Sequence, residues 1–95
     1  MLFFIHCIDK PDSQELRAEN RRHHLEHLSL FKKNIVCAGP TLSEDGEGMT
    51  GSVMLVDFPD RSAVEGFMHR DPYTRAQLFQ SVRVERWKKV IPASA

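Results

Sequence analysis

The chain is poor in the residues that mark most specialised functions. It has two cysteines, one tyrosine and one tryptophan among 95 residues, and its 13 Lys and Arg are balanced by 13 Asp and Glu. Cys7 and Cys37 stand thirty positions apart. They form neither a CxxC pair nor a zinc-finger spacing, so a disulfide scaffold and a zinc module drop out. Both lie in apolar runs, where a reduced, buried thiol is expected. The lack of a basic excess disfavours a nucleic-acid partner. No apolar run is long enough to span a membrane. The start MLFFIHCIDK has no basic lead and no adequate cleavage region, so it is not read as a secretory signal. The expected location is the cytoplasm.

What remains is an ordinary globular mix, 41% hydrophobic and 27% charged. The length suits one small domain, 1–95, with 92–95 as a loose tail. Alone, such a domain buries only about 60–65% of its unfolded surface.

Residues 2–8 are rich in Phe and Ile and are closed by Asp9, Lys10 and Pro11, which predicts a strand. Both faces of this strand are largely apolar. Asp12 or Ser13 caps a helix running to about residue 33, and Asp12 with Glu15 has capping-box spacing. A strand over 35–38 runs into Gly39-Pro40, and the acidic, glycine-rich 43–50 reads as a hairpin connection. Then come a strand over 51–58, a helix over 61–69 and a break at Asp71-Pro72-Tyr73. A helical turn at 74–79 and a strand over 82–91 complete the order. This β-α-β-β-α-β order is α+β and ferredoxin-like, with four antiparallel strands and two helices on one face. Two helices leave the other face bare, and a second copy of the chain is the economical cover, giving a homodimer of about 190 residues.

Few residues carry chemistry. With Leu28 taken as the centre of the first helix's buried face, His24 lies about 40° away and Arg21 heads the stripe. A buried imidazole and guanidinium need polar partners. Position alone leaves two readings, a satisfied core histidine or a functional pocket. His23 and His27 have metal-compatible spacing, yet they point among Glu19 and Glu26 and read as surface; HExxH is absent. His69 reads as a favourable charge at a helix end. His6 interrupts an apolar strand, as a pocket residue or a core hydrogen-bonder. Asp71 either caps the turn that follows, with Pro72 in its first position, or accepts a hydrogen bond from His24. In the second case the pair suits general acid–base work. Ser52 lacks a GxSxG context. Gly46, Gly48 and Gly51 lack phosphate-loop spacing.

The segments MLFFIHCIDKPDS, RRHHLEHL, NIVCAGP, GSVMLVDF, FMHRDPY and VRVERWKKV together resemble the YCII-related (YciI-like) family over nearly the whole length. The resemblance implies that the ferredoxin-like units form a dimeric α+β barrel with a His–Asp pair in a pocket on each subunit. Arg21, His24 and Leu25 match the family's R-x-x-H-L pattern. Asp71, Pro72 and Tyr73 match its D-P-Y, and Gly39 and Pro40 match its strand-end turn. It thus implies a catalytic His24–Asp71 dyad with Arg21 against an anionic or phenolic small molecule. The expected substrate contacts are Arg21, His6, Tyr73 and Ser52. One branch of the family eliminates HCl from a chlorinated hydroxyhydroquinone, so a dehydrochlorinase-like lyase or an isomerase of a hydroxylated ring or lactone is expected. No redox cofactor is called for, since elimination and isomerisation are redox-neutral, and no metal is expected. The alternative is a non-catalytic dimeric ligand-binding or accessory module.

Overall fold

The computed structural model describes residues 1–93. Strand β1 (Leu2–Asp9) leads into helix α1 (Gln14–Leu30) and a 3-10 turn at Lys32–Asn34. Then come β2 (Ile35–Leu42), β3 (Met49–Asp57), α2 (Arg61–Arg70), the short α3 (Pro72–Arg75) and β4 (Phe79–Trp87). The strands form one antiparallel sheet in the order β2-β3-β1-β4.

Side chains alternate across a strand, and this divides β1 cleanly. Phe3, Ile5 and Cys7 are fully buried under the helices. They pack with Met54 and Val56 of β3, Val64, Phe67 and Met68 of α2, and the half-buried Leu28 and Phe31. Leu2, Phe4, His6 and Ile8 face the other way. There Phe4 pairs with Leu55 and His6 with Val53 on β3, and Leu2 pairs with Trp87 on β4. No described helix covers this second face.

The expected barrel is corrected by the sheet itself. β2 and β4 lie at its two ends with β1 and β3 between them, so the sheet is open. Barrel closure requires every strand to pair on both sides, and a four-stranded sheet is too narrow to bring its own edges together. What stands is an open, ferredoxin-like α+β sandwich.

Local chemistry explains the smaller departures. Asp12 has φ 55, so it belongs to the turn and not to the cap. Ser13 holds the N-cap position without a capping bond, because its hydroxyl donates back to the Pro11 carbonyl at 3.3 Å. The capping box therefore does not form. β2 continues past Gly39-Pro40 to Leu42 because it is an edge strand, where a proline costs no central ladder bond. The hairpin turn uses Gly46 at φ 76, a left-handed conformation that glycine adopts freely. β4 begins at Phe79, earlier than its apolar run, and ends at Trp87. Cys37 is exposed while Cys7 is buried; Cys37 pairs with Leu55 on the open face of this edge strand. Of the expected tail, Pro92 and Ala93 are exposed, and 94–95 lie outside the described residues.

Candidate active site

Helix α1 buries Arg17, His24 and His27. Their common face is centred on His24, turned by about 40° from a Leu28-centred stripe at 100° per residue. The rotation moves Leu25 out, to 46% exposure, and brings His27 in. His27 is not a surface residue: its ring stacks on Phe67 at 5.0 Å and its Nε2 lies 3.0 Å from the Phe67 carbonyl oxygen. His23 stays exposed, with Nδ1 3.2 Å from Glu26.

Asp71 closes α2 and opens α3, with no solvent exposure. The same carboxylate does both of the jobs that its position suggested. Oδ1 accepts from the Tyr73 backbone N–H at 2.9 Å and so caps α3. Oδ1 and Oδ2 also face His24 Nδ1, at 2.9 and 3.0 Å. An ionised carboxylate only accepts, so Nδ1 carries a hydrogen, and in the neutral imidazole Nε2 keeps its lone pair. Nε2 has no hydrogen-bond partner among the described residues. A His–Asp pair separated by 47 positions in the chain is thus held in one orientation, with the carboxylate fully buried and the imidazole nearly so.

Tyr73 lies flat on His24, with ring centroids 3.9 Å apart and an interplanar angle of 15°. Arg17 places its guanidinium 4.6 Å from the Tyr73 ring centre. His24 already occupies one face of Tyr73. Arg17 precedes it by two helical turns, about 10 Å along α1, and so takes the other face. The guanidinium is gripped from behind: Nε donates to Asp9 Oδ2 at 2.7 Å, and Nη2 donates to Asp9 Oδ1 at 3.0 Å and to Ser52 Oγ at 2.9 Å. Burial works against the Arg17 charge, but the hydrogen bond and charge of Asp9 outweigh it and hold the guanidinium above its ordinary pKa. Burial also raises the Tyr73 hydroxyl above its ordinary value, against the opposing pull of Arg17 and Arg21. Beneath the site, burial and then the charges of Asp71 and Asp9 push the Cys7 thiol up to about 12, so Cys7 is no nucleophile at neutral pH.

These side chains wall a cavity of about 190 Å³. Arg17, Arg21, His24, Ser52 and Tyr73 form its polar side, and Leu25, Leu28, Pro40, Met49 and Met54 are among its apolar lining. An apolar cavity of roughly 150 Å³ accommodates benzene, so this one holds a single substituted ring. Four of the residues expected at the site therefore meet here with Asp71 behind them. His6 does not: it points to the open sheet face, where its ring lies 6.3 Å from that of Phe4, because strand alternation sets it opposite Ile5 and Cys7. Ser52 is present, but its hydroxyl is engaged by Arg17. Sequence reasoning missed Arg17 and Asp9. The usable signal was spacing: Arg17 sits seven positions before His24, on the same side of the helix.

A ferredoxin-like α+β domain with a buried His–Asp pair on a ring-sized cavity has the geometry of a small-molecule acid–base site. The YCII-related domain family matches residues 1–88, and the chain belongs to that family. Protein YciI of Escherichia coli O6:H1 is 34% identical over 97 aligned positions, covering 95% of this chain and 99% of that protein. An uncharacterised protein of Haemophilus influenzae is 31% identical with the same coverage. Among solved structures, the 5-chloro-2-hydroxyhydroquinone dehydrochlorinase of Burkholderia phenoliruptrix, in complex with 2,5-dihydroxybenzoquinone, superposes with a TM-score of 0.87. It is 39% identical, and the match covers 93% of this chain and 94% of that one.

Proposed function

We propose that the chain is an acid–base enzyme that eliminates HCl from a small chlorinated hydroxyhydroquinone, or isomerises a related hydroxylated ring or lactone. One observation carries this reading: a histidine whose Nδ1 is committed to a fully buried carboxylate stands at the wall of a ring-sized cavity with Nε2 unbonded. The similarity to the dehydrochlorinase supports the choice of ring and leaving group.

In the elimination, His24 Nε2 takes a proton from a ring hydroxyl of the keto tautomer, in which the carbon bearing chlorine is tetrahedral. The electron pair moves through the conjugated ring, the C–Cl bond breaks and chloride leaves. The ring loses one proton and one chloride and becomes a hydroxyquinone. No electrons pass to or from the protein, so no redox cofactor is required. Asp71 fixes the tautomer and faces the charge that the imidazole gains. Arg21, exposed at the rim, attracts the phenolic oxygens.

The test is turnover. Metal-free protein incubated with 5-chloro-2-hydroxyhydroquinone should release chloride and form the quinone chromophore, and His24→Ala should abolish both. Wild-type rates equal to blanks for this ring and for lactones, with ring binding intact, would leave a binding module instead.

We further propose that the chain works as a homodimer through its open sheet face, in the cytoplasm. Phe4, Val53 and Leu55 are only half-buried there and Trp87 is 40% exposed, an apolar patch that favours a partner. Cys7 and Cys37, both free thiols, suit a reducing compartment.

A further inference from the structure

The Arg17 head is engaged on one side only. Asp9 and Ser52 take Nε and Nη2, while Nη1, with two N–H donors, has no partner among the described residues. Arg17 as a whole is only 4% exposed, yet Nη1 is not among the sealed, unbonded polar atoms, a state found among the described residues only at Thr74 Oγ1. Nη1 therefore touches open space, and Arg17 lines the cavity. The Tyr73 hydroxyl is similarly placed: its oxygen lies beside the donating Arg17 guanidinium, its own proton has no acceptor among the described residues, it is not sealed, and it belongs to a residue that is 1% exposed and lines the same cavity.

We propose that Arg17 Nη1 and the Tyr73 hydroxyl together form a preorganised oxyanion site, which holds a negatively charged ring oxygen of the substrate while His24 works on another part of the ring. This rests on the acid–base reading above and specifies which groups bind the charge. Arg21 is exposed and makes no ion pair with a described residue, so it must be ordered on binding. Arg17 needs no ordering, because Asp9 and Ser52 already clamp it. Donors fixed before the reaction in a water-poor site stabilise developing charge without reorganisation. Tyr73 separates the two stations, with His24 on one face of its ring and Arg17 on the other. A single ring of substrate must therefore reach both, with its anionic oxygen remote from the position that His24 attacks. The high pKa values of both groups keep Arg17 charged and Tyr73 able to donate at neutral pH.

Two probes of similar size test this: 2,5-dihydroxybenzoquinone, an acidic quinone that is anionic at neutral pH, and neutral hydroquinone. Replacing Arg17 alone would strand the buried Asp9 charge, so the variant is the neutral pair Asp9→Asn/Arg17→Gln. Calorimetry should show the anionic quinone bound about 10- to 100-fold more weakly, the range for a lost hydrogen bond to a charged group, with hydroquinone affinity unchanged. Tyr73→Phe keeps the ring stack and should weaken the quinone several-fold, again sparing hydroquinone; it decides the matter if the double variant does not fold. Equal losses for both probes, or no loss for either, would overturn the oxyanion site. His24→Ala separates the two levels. If it binds the quinone normally but does not turn over substrate, the acid–base reading stands whatever Arg17 does. If the wild-type protein binds neither probe, that reading fails and the oxyanion site fails with it.

Discussion

His24 and Asp71 form the most constrained pair in the chain. Asp71→Asn separates charge and tautomer control from packing. An asparagine still caps α3, but its amide can donate to Nδ1 and so place the hydrogen on Nε2, where the base is needed. Turnover should fall by roughly three orders of magnitude or more with the fold retained, and imidazole 15N shifts should report the exchanged tautomer. Cys7 makes a prediction about pH. Its folded thiol sits near 12 against an ordinary value of 9.0, so the folded state holds the proton more tightly. Its contribution to stability is complete below 9 and is lost as the pH climbs toward 12, by up to about 1.4 kcal/mol per pH unit. Urea midpoints measured from pH 8 to 11 should fall more steeply for the wild type than for Cys7→Val. Which residues these are was open to sequence reasoning. That His24 meets Asp71 was one of two alternatives, because no spacing rule links positions 47 apart. Arg17 was legible only as one more charged residue on a polar helix.

At the scale of elements, two substitutions probe how tightly the site's supports are built. Thr74 in α3 carries the one sealed, unpaired hydroxyl among the described residues. Thr74→Val removes it at nearly constant shape and should raise stability by about 1 kcal/mol, read from the urea midpoint. Gly51 of β3 lies against the Cys7 carbonyl of β1. A methyl group there would collide with the Cys7 carbonyl oxygen and press on Thr41 Oγ1, whereas one at Gly39 meets nothing. Gly51→Ala should therefore lower thermal stability by several degrees and Gly39→Ala hardly at all. Strand existence was readable because apolar runs and breakers bracket β1 and β3. The buried face of α1 was harder. Its apolar residues alone point to Leu28, and only the polar side chains Arg17, His24 and His27, each satisfied by a distant partner, turn the face toward His24.

For the whole molecule, the bare sheet face makes the test. If two copies meet there, sedimentation should give a mass near twice 10.9 kDa, and Leu55→Lys, at the middle of that face, should shift it to the single-chain mass. An unchanged mass would move the interface elsewhere or remove it. His6, Arg83 and Glu85 share this face, so His6 belongs to whatever covers the sheet and not to the cavity.

Patterning along the chain sets the α+β class, the element order, the antiparallel sheet and the presence of an R-x-x-H-L stretch on the first helix and a D-P-Y turn after the second. Each of these follows from local patterning: the period of apolar residues, the breakers, the caps and short motifs. The folded arrangement alone shows that the sheet stays open, that His6 leaves the site, that Cys37 is exposed and that His27 is buried. It alone showed Tyr73 held between His24 and Arg17, with Asp9 and Ser52 behind. These are matters of which face turns inward and which charges meet across tens of residues, and packing settles them after the local elements have formed.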